Sequence, residues 1–97
     1  MMDLEYLKQF REEKEIADII NEIEKLDCLV SQNKWNEVAQ HLQDVSINHI
    51  VEKAVYNAVN SSPPQSIQQS AENCRNFLLA LGVEKIAKEL SEHFGGT

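Results

Sequence analysis

The stretch NKWNEVAQHLQDVSINHIVEKAVYNAVN, Asn33 to Asn60, decides the fold class of this chain. Trp35, Val38, Ala39 and Leu42 recur at i, i+3, i+4 and i+7, and Ile47, Ile50, Val51, Ala54, Val55, Ala58 and Val59 keep the same three-and-four spacing. That periodicity places each set on one face of an α-helix, whereas a half-buried strand would alternate. The β-branched residues of the second half lower its intrinsic helix propensity, so packing has to supply the preference. Polar residues from Gln43 to Ser46 predict a break, with Asp44 or Ser46 capping the next helix. The two helices would then form an antiparallel hairpin. The only Trp of the chain lies here, and its stripe predicts that Trp35 is largely buried against the Ile47 to Val59 helix.

Upstream, residues 3–30 contain no Gly or Pro and are rich in helix formers, which predicts one long acidic helix. Ile16, Ile19, Ile20, Ile23, Leu26 and Val30 share a face. Leu4, Leu7 and Phe10 do not, because the six steps from Phe10 to Ile16, at about 100° each, leave the two sets some 120° apart. Either the helix breaks near Arg11 to Glu15, or its first turns contact something other than the main core. Burying an apolar side chain of this size is worth about 1.5 to 3 kcal/mol, so three of them are not left in water without cause. They fold back onto the bundle, form a homodimer seam, or make a docking site. A partner or dimer contact is therefore expected at Leu4, Tyr6, Leu7 and Phe10, flanked by the acidic residues Glu12, Glu13 and Asp18.

Downstream, Ser31 to Asn33 read as a short polar connection, with Asn33 as N-cap of the Trp35 helix. Asn60-Ser61-Ser62-Pro63-Pro64 is the clearest punctuation in the chain. Ser62 and Gln65 resemble a capping box, and Ser66 offers a later cap. Ile67, Ala71, Cys74, Leu78 and Leu81 then make a stripe that is expected to stop at Gly82, a residue suited to a left-handed helix end. Val83, Ile86, Ala87, Leu90 and Phe94 make a last short helix. The expected fold is all-α: a single domain over residues 1–97, a compact bundle of about five helices built on the central antiparallel hairpin. Its parts would be the helix at 3–30, the hairpin at 33–60 and two helices within 64–94.

Composition agrees with one folded core. Ninety-seven residues suit a single domain, and 42% apolar with 26% charged residues is ordinary for a globular chain. Three Gly and two Pro are few for a hairpin-rich β protein. No apolar run approaches the roughly 20 residues that cross a bilayer, and the N-terminus lacks a basic start and an apolar signal core. A cytoplasmic location without membrane association is expected. Cys28 and Cys74 lie in apolar patterns, where reduced Cys acts as a small hydrophobe.

The net charge is −7. Met1 to Asp27 holds nine acidic and four basic residues and so carries −5 of it. Single carboxylates on helices most often sit on solvated faces with i, i+4 partners, but pairing does not remove a net excess, which favours a basic protein partner. Nucleic acid is disfavoured, because phosphate neutralisation needs clustered Lys and Arg. Phosphate loops, zinc pairs and nucleophile elbows are missing, so catalysis and cofactors are not expected. His41, His49 and His93 match no zinc spacing and read as surface residues, His41 on the polar side of its helix.

Trp35, Val38, Ala39 and Leu42, with Ala58 and Pro63 further on, also give the hairpin a partial resemblance to one tetratricopeptide-type repeat unit. Val51 and Val55 depart from that pattern, and no second copy is present. The resemblance implies a helical scaffold that binds peptide or protein. Together these features predict a small acidic protein-interaction domain of adaptor, inhibitor, immunity or chaperone type. The alternative is a homo-oligomerisation domain, and the pattern does not choose between monomer and homodimer.

Overall fold

The computed structural model describes residues 4–49 and 66–94. Among them there are four helices and no strand: α1 (Leu4–Lys8), α2 (Lys14–Ser31), α3 (Trp35–Asn48) and α4 (Ile67–Phe94). The all-helical class is as expected. The count of about five is not confirmed by these four, and the second half of the expected hairpin lies outside the described residues.

The single helix expected over residues 3–30 is two helices. Gln9 to Glu13 form a bend held by bonds to the third residue back, including Phe10 N–H to Leu7 O at 2.9 Å and Glu13 N–H to Phe10 O at 3.0 Å. Glu13 is extended and starts α2 with its carbonyl, which accepts from Ala17 N–H at 2.8 Å. From there Ile16, Ile19, Ile20, Ile23 and Leu26 are all buried, as their spacing required. Val30 is only half-buried.

Asn33 does not cap α3. It ends α2 instead, in the left-handed region at φ 57°, with Asn33 N–H bonded to Val30 O and Lys34 N–H to Leu29 O, both at 3.0 Å. These bonds satisfy carbonyls that the last turn would otherwise orphan, and Asn is one of the few residues that enters this region at low cost. The N-cap of α3 falls on Lys34, without a side-chain bond.

The break expected at Gln43 to Ser46 is not there. α3 runs through it to Asn48, because Val38, His41 and Val45 make a continuous buried face at i, i+3 and i+7. Asp44 accepts from Gln40 Nε2 at 3.3 Å on the helix's own surface rather than capping a new one. A turn between Leu42 and Ile47, which the repeat-unit resemblance requires, is therefore missing. Ile47, placed on the apolar stripe from sequence, is 73% exposed.

α4 starts at Ser66, whose Oγ accepts from Gln69 N–H at 3.1 Å, the later of the two caps considered. It then runs for 28 residues without stopping at Gly82. Gly82 is buried and helical, and its φ is not positive. It is small because of what lies opposite: a Cβ at this position would sit 2.8 Å from both δ-methyls of Leu7. The role is close approach of α1 to α4, not chain reversal.

The main core joins α1, α2 and α4 with one residue of α3, through Leu7, Ile16, Ile20, Val45, Leu78 and Ile86 among others. A second cluster, Leu26, Val38 and Ala71, closes the other end, and Trp35, Leu42 and Ile67 pack against it. Trp35 is of intermediate burial there, and most of the Ile47 to Val59 segment it was expected to pack against lies outside the described residues. Among the described residues α2 against α4 is the largest helix pairing, and residues 50–60 of the expected hairpin lie outside them.

Candidate interaction site

The residues expected to bind a partner lie on α1, on the bend and on the first turns of α2. Leu7 is completely buried in the main core, and Leu4, Tyr6 and Phe10 are half-buried against it. Of the three arrangements open to these side chains, folding back onto the bundle is the one adopted. The Tyr6 and Phe10 rings pack at 5.5 Å between centroids, inclined by 57°. Lys8 Nζ and Arg11 Nη2 each lie 3.7 Å from Glu24 Oε2, tying α1 and the bend to α2.

The acidic members remain at the surface. Glu12 and Glu13 are exposed, and neither enters an ion pair with another described residue. Asp18 is exposed and accepts from Lys14 Nζ at 3.1 Å. Glu15 meets Lys85 of α4 at 3.4 Å while its side chain stays 76% exposed. Such surface pairs contribute about 0 to 1 kcal/mol, and solvent and salt compete with them.

A second polar cluster was not anticipated from sequence. His41 is buried rather than on a polar face, and its Nε2 lies 2.9 Å from the main-chain oxygen of Glu22. A carbonyl only accepts, so this nitrogen carries the hydrogen. His49 Nε2 is 2.7 Å from Glu22 Oε1, with both side chains 14% exposed, and Asn48 Nδ2 reaches Glu22 Oε2 at 3.4 Å. The His49 ring stands edge-on to Phe77 of α4 at 6.2 Å. Glu22 therefore clasps the end of α3 to the middle of α2 with its main chain and both carboxylate oxygens. The signal was present in the sequence, since His41 falls on the buried face between Val38 and Val45, but a polar residue type there reads as surface.

The remaining chemistry-bearing groups hold helices together. Arg75 Nε bonds both carboxylate oxygens of Asp27, at 2.9 and 3.2 Å, linking α4 to α2. Cys28 and Cys74 are not joined in a disulfide. Cys28 is exposed rather than in an apolar environment, and its sulfur accepts from Gln32 Nε2 at 3.2 Å. Cys74 is half-buried and touches both core clusters. Among the described residues no group of three His, Cys, Asp or Glu could hold a metal ion, and no helix is long and apolar enough to cross a membrane. The chain matches no protein-family model, no curated protein and no solved structure.

Proposed function

We propose that this chain is a small cytoplasmic protein-interaction domain that binds a basic protein partner through the corner between α1 and α2. The observation that carries the reading is the exposure of Glu12, Glu13 and Asp18 at that corner, with two of the three carboxylates free of ion pairs among the described residues. Carboxylates held on a packed bend attract a complementary basic surface at long range and set its orientation. Tyr6 and Phe10, half-buried beside them, would supply the apolar part of the contact. Binding rather than catalysis is the activity proposed.

The test is a triple reversal, Glu12→Lys, Glu13→Lys and Asp18→Lys, compared with the unaltered chain in pull-downs from the native host at low and high salt. A basic protein captured by the unaltered chain, released by salt and lost in the variant would support the reading. Capture that is indifferent to both charge and salt would sink it. Circular dichroism of the variant checks that the helices remain.

A further inference from the structure

Residues 4–31 contain no Gly or Pro, yet the chain bends between α1 and α2. At the bend the regular helical bonds are replaced by shorter-range ones, Gln9 N–H to Tyr6 O, Phe10 N–H to Leu7 O, Arg11 N–H to Lys8 O and Glu13 N–H to Phe10 O. Local sequence favours a straight helix here, and tertiary contacts select the bent one. Among the described residues those contacts include Leu7 in the core cluster and against Gly82, the packing of Leu4, Tyr6 and Phe10 on that cluster, and the cations Lys8 and Arg11 facing Glu24. An element whose local preference conflicts with its tertiary placement has two arrangements available.

We propose that α1 can exchange between two copies of this chain. In the exchanged form the bend straightens, α1 and α2 become one helix, and Leu4, Leu7 and Phe10 swing about 120 to 180° from Ile16, away from their own core. Leu7 of one copy then fills the slot over Gly82 of the other, and Lys8 and Arg11 meet the other copy's Glu24. The contacts of α1 with the core are remade between copies, and the backbone of the bend exchanges its short-range bonds for regular helical ones. Each slot is incomplete without a Leu7, so the two copies complete one another, as in domain-swapped dimers. The exchange does not rest on the acidic-corner reading, since it is measured with no other partner present.

The test mixes isotope-labelled and unlabelled chains in denaturant, refolds them together at millimolar concentration and separates monomer from dimer by sedimentation. A zero-length carbodiimide reagent then joins Lys8 to Glu24. Exchange predicts Lys8–Glu24 peptides of mixed isotope in the dimer and of single isotope in the monomer. Lys14→Pro breaks the straight helix, yet it suits the first position of α2 behind the extended Glu13 and removes none of the bend's main-chain bonds named above, so it should weaken dimerisation at least about a hundredfold. A chain that stays monomeric, or a dimer whose Lys8–Glu24 peptides are all of single isotope, would overturn the proposal. Mixed peptides undiminished in Lys14→Pro would overturn the straightened bend. The isotope readout uses the unaltered chain and decides the exchange even if the proline variant does not fold.

Discussion

A methyl group in place of the Gly82 α-hydrogen would lie 2.8 Å from both δ-methyls of Leu7, so Gly82→Ala sets two effects against each other. Alanine adds about 1 kcal/mol of helix propensity to α4, while overpacking against a buried side chain costs about 1 to 3 kcal/mol. The two act on different parts of the molecule. Global unfolding in urea should change by no more than about 1 to 2 kcal/mol, whereas amide exchange over residues 6–13 should accelerate well beyond that of α2. Uniform acceleration across all helices would refute the slot. In the sequence this glycine reads as a stop because Gly usually ends helices, although Leu78, Leu81 and Ile86 carry the buried face straight past it. Space between helices is a tertiary property, and nothing local announces it. His41 misleads for a parallel reason: its partner, the Glu22 carbonyl, is far away in sequence.

Among the elements, the turn between α2 and α3 rests on the left-handed backbone of Asn33. Asn33→Gly should leave stability unchanged or slightly raised, while Asn33→Val, β-branched at positive φ, should lose about 1 to 2 kcal/mol. Urea denaturation of the pair measures the difference, and equal stabilities would mean that the turn relaxes to another geometry. The sequence marked this connection correctly but assigned Asn33 to the wrong helix, because Asn suits both an N-cap and a left-handed helix end. Ser66, by contrast, was legible as a cap, since a hydroxyl before an apolar stripe offers one simple bond. The break expected in α3 failed because polar residues on its solvent side were weighed without Val45, which keeps the buried face unbroken.

Over the whole molecule, α2 lies between α4, α3 and α1, with Ile20 fully buried at its middle. Ile20→Ala should cost about 2 to 5 kcal/mol, as cavities do where neighbours cannot collapse. Leu7→Ala should fall at or below the lower end of that range, because α1 can lift away and leave α2, α3 and α4 folded. Chemical denaturation ranks the two, and a larger loss for Leu7 would show that α1 is integral to the core. The faces of α2 and much of α4 could be read from periodicity. Which helices pair could not, since a stripe states that a face is buried without stating against what, and neither stripe names the pairing of α2 with α4.

The bent link from Gln9 to Glu13 is also a tether. While it is whole, Leu7 meets its slot within one molecule, at the millimolar effective concentration that a short connection supplies. Arg11 stands in that link with its side chain 54% exposed, within reach of a trypsin-like protease. A single cut there would turn the segment that ends at Arg11 into a diffusible peptide with a dissociation constant of its own. At micromolar protein the peptide would depart, and what remained would be a receptor for its own former N-terminal segment.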